Sequence, residues 1–348
     1  MDECVITRTI RVASGPFAPG HLGELTQQVP FELVDAALAA TGRLQSRLRA
    51  LPARVVVYLL LAGCLFAELG YGQVWNRLTA GLGRLPVATP TASALTKARC
   101  RLGSAPLRAL FELLRGPAPT ARATAGVRVG GLLVCAIDGT TMSVADTPAN
   151  LTVVAKHRGN HGGSGYPLLR LVALVACGTR SLIDAVFGPA TAGEATYALR
   201  LTGSLHPGML VLADRNFTSS TLIGHLAATG ADLLTRAKTG TTARRLPLLR
   251  RLPDGSFASV LGGVGIRVID AQITITTNAG DLTGSYRLLT TLLDTCRWPA
   301  LTLVRLYHER WEIETAYCEL KASILGGRVL RARTPEGIDQ EVYALLVC

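Results

Sequence analysis

Two apolar runs near the middle of the chain each finish on an aspartate, and this pair constrains the fold more than any other feature. Residues 132–137, Leu-Leu-Val-Cys-Ala-Ile, lead into Asp138 and then Gly139-Thr140-Thr141. Residues 209–213, Met-Leu-Val-Leu-Ala, lead into Asp214 and then Arg215-Asn216-Phe217. Short, continuous apolar runs of this kind read as strands buried on both faces. A carboxylate at the carboxyl end of such a strand sits at the mouth of the sheet, held by the strand and open to a ligand. A single aspartate there often does no more than cap the next helix, so the weight lies in the pair.

Residues 168–176, 181–187 and 233–236 read as further strands, and 194–205 and 218–229 as helices, so strands come first and strand-helix alternation follows. Asp146, Asp184 and Glu194 also flank these strands, but none ends a long apolar run ahead of a Gly-Thr turn, which ranks them below Asp138. The pattern changes over about 238–294. There Ile269, Ala271, Ile273 and Ile275 alternate with Asp270, Gln272, Thr274 and Thr276, Asn278-Ala279-Gly280 supplies a turn, and 286–293 returns as a partner strand. This is a β-rich insertion in an α/β domain.

Ahead of the sheet, residues 30–115 carry Leu, Ala and Arg at helical spacing, and the uncharged run 55–67 is too short to span a bilayer, so it reads as a buried helix. Residues 92–102 and 105–114 form a helix pair around Gly103-Ser104, with Lys97, Arg99, Arg101 and Arg108. The pair fits a helix-turn-helix DNA reader and ordinary helix packing equally well. Residues 116–126, rich in Gly, Pro and small side chains, read as a linker. The expected organisation is a helical amino-terminal DNA-binding domain with linker over 1–125 and a catalytic domain over 126–348.

A third acid comes from a long helix expected over about 300–325. Tyr307, Arg310, Glu314 and Lys321 fall at about 0°, 300°, 340° and 320° around it, one stripe about 60° wide. Leu303, Leu306, Ile313, Tyr317, Leu320 and Ile324 fill the neighbouring core-facing arc, while Glu309, Glu312 and Glu319 project to solvent. Glu314 is therefore the acid at the edge of the buried face, and Trp311 beside the stripe is expected to fill the core. Taken alone, Arg310 and Glu314 also fit a plain i,i+4 surface pair worth about 0.3–0.5 kcal/mol.

Asp138, Asp214 and Glu314 together form a set of hard oxygen donors suited to Mg²⁺ or Mn²⁺. Two such ions about 3.5–4 Å apart serve an in-line phosphoryl transfer, with Tyr307, Arg310 and Lys321 placed to hold neighbouring phosphates. Composition agrees: 36 Lys and Arg against 24 Asp and Glu give a net charge of +12, which favours a polyanionic partner. The 8 cysteines are scattered without a CxxC pair, which suits buried thiols in a reducing compartment and offers no zinc site. No basic segment followed by an apolar stretch opens the chain, so no secretory leader is read there.

The Y-x2-R-x3-E-x6-K spacing from Tyr307 to Lys321, the strand ends at Asp138 and Asp214, and the region around Pro30-Phe31-Glu32-Leu33-Val34 resemble the bacterial DDE transposases of the insertion-sequence-four group. The resemblance covers nearly the whole chain. It implies a ribonuclease-H-like catalytic fold with a β-rich insertion before the glutamate, and two metal ions held by Asp138, Asp214 and Glu314. It also implies cleavage and strand transfer on double-stranded DNA at terminal inverted repeats and a target, a homodimer in the synaptic complex, and a place in the bacterial cytoplasm at the nucleoid. Relatives that form a hairpin hold a flipped base on an aromatic residue, a role that neither Trp298 nor any other aromatic here can be aligned to.

Three readings stand at this point: an active transposase, a ribonuclease-H-like nuclease without strand transfer, and an inactive DNA-binding remnant. The last draws on residues 345–348, Leu-Leu-Val-Cys, where the final helix stops on an apolar run expected to be cut short and exposed. Weaker features are the basic glycine-rich loop 156–163, a phosphate-contacting loop in preference to a His157–His161 metal pair, and Arg328, Arg331 and Arg333, a possible extension of the phosphate track or a solvated basic turn.

Overall fold

The computed structural model describes residues 22–45, 47, 49–82, 87–116, 128–158, 164–238, 245–277 and 280–348. The expected linker over 116–126, the turn residues Asn278 and Ala279, and His161 with most of its loop lie outside these, apart from Gly116. Two compact units result: Met1–Leu114 with Lys321–Cys348, and Arg115–Leu320.

The first unit is helical, with α1 (Leu22–Gln28), α2 (Phe31–Ala40), α3 (Ala53–Leu65), α4 (Tyr71–Thr79), α5 (Ala92–Leu102) and α6 (Ala105–Leu114). α3 is its centre: Val56 through Cys64 are all buried, and α1, α2, α4 and α5 pack on it. The Tyr58 hydroxyl, inside this core, donates to the Val29 carbonyl at 2.6 Å, which gives the one polar atom of that ring a partner. α5 begins on a Thr91 cap whose hydroxyl accepts from the Ala94 N–H, and stops at Gly103, whose φ of 73° continues no helix.

The expected division after residue 125 and the compact units differ at the carboxyl end. Residues 321–348 pack with the amino-terminal helices, because the last helix, Pro335–Val347, lays Ile338, Val342, Ala344 and Leu345 against α3 and α6. Of the apolar run expected to be exposed, Leu345 is buried, Leu346 and Val347 are half-buried and Cys348 is exposed. The buried Glu341 carboxylate accepts the N–H groups of Arg331 and Ala332 at 3.0 and 2.9 Å. Arg331 donates to the Leu69 and Phe66 carbonyls and stacks on Tyr71, so it secures this unit and is no phosphate contact.

The second unit is built on a sheet of eleven strands among the described residues. β1 (Arg128–Val129), β2 (Leu132–Ser143), β3 (Lys156–Arg158), β4 (Ser164–Ala176) and β5 (Leu182–Pro189) come first, with the short α7 (Pro148–Leu151) inside them. Next come α8 (Glu194–Ala198), β6 (Met209–Ala213), α9 (Ser220–Ala228) and β7 (Asp232–Arg236). β2 pairs antiparallel with β4 on one side and parallel with β6 on the other, and β6 pairs parallel with β7. Antiparallel strands followed by parallel strand-helix units are the order expected of the ribonuclease-H-like core.

The insertion is confirmed as strands: β8 (Arg250–Arg251), β9 (Phe257–Leu261), β10 (Val264–Thr277) and β11 (Gly280–Thr290). It forms no separate layer, because β11 pairs antiparallel with β7 and carries the catalytic sheet outward. Its anchor is Arg267, with no exposed side-chain surface, which is ion-paired to Asp254 and donates to the Ser256 hydroxyl and the Trp298 carbonyl. A buried guanidinium is tolerable only when its donors are met in this way.

Two expectations are corrected. β2 does not end at Asp138 but runs on to Ser143, because its ladder with β4 continues after the one with β6 has stopped. The helix expected over 300–325 is jointed: α10 (Ala300–Tyr307), a 3₁₀ turn at His308–Arg310, α11 (Trp311–Cys318) and a π-helical stretch at Glu319–Ile324. Tighter and wider turns rotate the following side chains away from the angles of a uniform helix.

Candidate active site

The last rung of the parallel ladder between β2 and β6 is Ile137 opposite Ala213. Asp138 and Asp214 are the next residues on the two strands. Neighbouring strands lie about 4.8 Å apart, so the register delivers the two aspartates side by side at one edge of the sheet. Asp138 Oδ1 accepts the Gly139 N–H at 2.8 Å. The Asp214 carboxylate caps the 3₁₀ turn Arg215–Phe217 by accepting the Arg215 N–H.

Two tyrosines fix α10 and α11 over these positions. The Tyr307 hydroxyl donates to the Ala213 carbonyl at 3.2 Å. The Tyr317 hydroxyl sits between ladder partners, accepting the Ala173 N–H at 3.0 Å and donating to the Asp138 carbonyl at 2.6 Å. Burial pushes Tyr307 up to about 12 and Tyr317 well above its ordinary value, so both remain neutral donors at physiological pH. Sequence reasoning placed Tyr317 in the core, where it lies, but did not foresee that its hydroxyl and that of Tyr307 hold the backbone at the aspartates.

Arg310 joins the third acid to the first. Its Nη1 donates to Asp138 Oδ2 at 3.0 Å and its Nη2 to Glu314 Oε1 at 2.9 Å. The Arg310 side chain is 13% exposed, so the plain surface-pair alternative for Arg310 and Glu314 does not hold. Trp311 is corrected in the opposite direction: it is 54% exposed and lies beside the Arg310 guanidinium. Lys321 belongs to the π-helical stretch of the other unit. Trp298 is buried over Gly130, where it cannot stack on a base.

A fourth carboxylate, ranked low from sequence, stands at the site. Glu194, at the start of α8, pairs with Arg170 Nη1 at 2.9 Å through Oε1 and accepts the Asn216 amide at 3.3 Å through Oε2. A Cβ on Gly139 would meet the Glu194 carboxyl at about 2.6 Å, so the glycine after Asp138 is what admits it. The signal was present in the sequence as the first residue of an expected helix, but only the fold brings it to Gly139.

Asp138 is pushed up to about 6, chiefly by burial and further by the charges of Glu194 and Asp214, against the Gly139 N–H and Arg310, which pull it down. Among the described residues no three Asp, Glu, His or Cys side chains stand close enough to share one metal ion. By donor type and charge, however, the set suits a divalent cation. Asp138, Asp214, Glu194 and Glu314 bring four negative charges against two from Arg170 and Arg310, and four less two leaves two uncompensated. Of the cysteines, Cys64, Cys135 and Cys177 are buried, whereas Cys100, Cys296, Cys318 and Cys348 are exposed, against the expectation of buried thiols.

Residues 130–348 match the transposase DDE domain family, and residues 19–112 match the insertion element 4 transposase N-terminal family. The chain belongs to the DDE transposases. Over 336 residues, 91% of this chain and 72% of the relative, it is 30% identical to the transposase InsG for insertion sequence element IS4 of Escherichia coli strain K12. It is 26% identical over 229 residues, 62% of this chain and 72% of the relative, to InsZ of the same strain, a transposase by name. Membership of the DDE transposases gives the chain DNA as substrate and a general dependence on divalent metal. No helix of the described residues is long and apolar enough to cross a membrane.

Proposed function

We propose that this transposase cuts and joins DNA at the ends of an insertion sequence, with Asp138, Asp214 and Glu314 as its metal-binding carboxylates. The observation that carries the reading is the β2–β6 register, which ends one residue before each aspartate, with Arg310 tying Asp138 to Glu314. Two Mg²⁺ or Mn²⁺ ions, when bound, would supply an activated attacking oxygen and a stabilised leaving oxygen.

The chain's own residues do the rest. Asp138 and Asp214 are set by neighbouring strands, so their separation is fixed before substrate arrives. Arg310 has donors in the planar fork that suits phosphate as well as carboxylate, and with Lys321 it would hold phosphates beside the scissile bond. Tyr307 contributes by holding its helix to Ala213, although phosphate contact was its expected role. The substrate would be double-stranded DNA bearing terminal inverted repeats and then a target duplex. Paired-end cutting would take two copies of the chain in a synapse, at the bacterial nucleoid in the cytoplasm. The helical unit over 22–114 would read the ends. No specific observation favours a nuclease without strand transfer or an inactive remnant.

The test is cleavage of a linear duplex carrying the flanking inverted repeats, in Mg²⁺ or Mn²⁺, by this chain and by Asp214→Ala. Metal-dependent cutting at the repeat end that disappears in the variant supports the reading. Binding without cutting by both proteins would replace it with the remnant, and neither binding nor cutting would overturn it.

A further inference from the structure

We propose that Glu194 is a positioning residue of the active site, one that sets how the Asp138 and Asp214 carboxylates face one another by holding the β2 residue that follows Asp138 and the 3₁₀ turn that follows Asp214. The inference rests on the reading of these aspartates as the metal-binding pair. Glu194 itself grips neither aspartate. Glu194 instead touches the residue after Asp138 and the second residue after Asp214: its carboxyl fills the space a Cβ on Gly139 would need, and its Oε2 accepts the Asn216 amide at 3.3 Å.

The carboxyl is itself held from behind. Arg170 on β4, 18% exposed, donates to Oε1 at 2.9 Å, and its other terminal nitrogen donates to the Ala190 carbonyl at 3.3 Å. The guanidinium is thus anchored to backbone and presents Glu194 in one orientation. A carboxylate beside two others is unfavourable unless something requires it there, and Arg170 answers only the charge of Glu194 while Arg310 is already engaged by Asp138 and Glu314. A purely structural pair could have been placed elsewhere on α8, whereas this one faces the glycine that directly follows Asp138 on β2. Gly139 does not have a positive φ, so its lack of a side chain answers to space and not to backbone conformation.

Mn²⁺ binding to the full chain, followed by electron paramagnetic resonance without DNA, tests the idea apart from catalysis. Glu194→Ala is expected to weaken Mn²⁺ about tenfold with little change in melting temperature. Glu194→Gln, which keeps the shape and one acceptor for Asn216 but turns an amide N–H toward Arg170, should recover part of that loss. Gly139→Ala, which pushes a methyl into the carboxyl, should weaken Mn²⁺ similarly in the wild type and have almost no further effect in Glu194→Ala, where the space is free.

Wild-type affinity in Glu194→Ala would overturn the proposal, as would additive losses in the double variant or a loss in Glu194→Gln as large as in Glu194→Ala. Should Glu194→Ala fail to fold, the comparison of Gly139→Ala with Glu194→Gln decides: normal affinity in Gly139→Ala overturns the proposal. Absence of Mn²⁺ binding in the wild type would overturn the metal reading of the aspartates as well, a failure distinct from one confined to the Glu194 variants.

Discussion

Arg310 holds Asp138 and Glu314 at once, giving one guanidinium nitrogen to each carboxylate at 3.0 and 2.9 Å. The glutamate on a jointed helix and the aspartate on a central strand are therefore linked by a single planar group. Lysine has the charge but not the fork, and cannot bridge the two in this geometry. Arg310→Lys is expected to bind duplex DNA nearly as well as wild type and to cleave at least about tenfold more slowly, a barrier rise of about 1.4 kcal/mol. Single-turnover cleavage at saturating enzyme checks this, and an unchanged rate would show that the bridge is dispensable.

Asp138 makes stability depend on pH in a defined direction. Its folded value of about 6 lies above the usual carboxylate range near 4, so the folded chain takes up this proton more readily than the unfolded one. The associated stability is fully present below about pH 4 and is lost as pH rises through about 6. Asp138→Asn, neutral throughout, should therefore exceed wild type in stability at pH 7.5 by about 1–3 kcal/mol in the absence of metal and lose that advantage by pH 4.5. Denaturant unfolding at the two pH values measures it, and a gain that persists at low pH would assign it to packing instead.

Tyr317 has a role that only the fold discloses. Tyr317→Phe removes the hydroxyl between Ala173 and Asp138 and leaves a buried N–H and a carbonyl to find new partners. The expected cost is about 1–3 kcal/mol. Slowed cleavage should accompany it, since Asp138 would lose a backbone support. A variant with wild-type stability and rate would show that the β2–β4 ladder closes over the gap.

Gly130 adopts a φ of 57°, and a Cβ there would meet the Trp298 ring at about 2.3 Å. Gly130→Ala combines strained backbone with a clash against a buried indole. A loss of at least about 2 kcal/mol is expected in chemical denaturation. A smaller loss would mean that Trp298 has room to move.

What could be read from sequence was what short-range periodicity carries. The apolar runs before Asp138 and Asp214 gave the strands, and the Tyr-Arg-Glu spacing gave the helix that faces them. Three things needed tertiary structure. The length of β2 depends on β4, its antiparallel neighbour, which no pattern within β2 reveals. The joints at His308–Arg310 and Glu319–Ile324 leave no mark in the apolar spacing, and the exposure of Trp311 follows from the fold and not from its residue type. Glu194 reaches Gly139 only once α8 has packed against β2.

Because β11 joins β7, the chain from β10 through β11 to β6 and β2 is one hydrogen-bonded fabric that ends at the aspartates. A force applied to the β10–β11 hairpin would travel by shear along these ladders, and hydrogen-bonded strands resist shear collectively. Glu314 is carried by a segmented helix that is itself tied to these strands by Tyr307, Arg310 and Tyr317. Strain entering the sheet would therefore carry the aspartates and the glutamate together, and the three acids would move as one set.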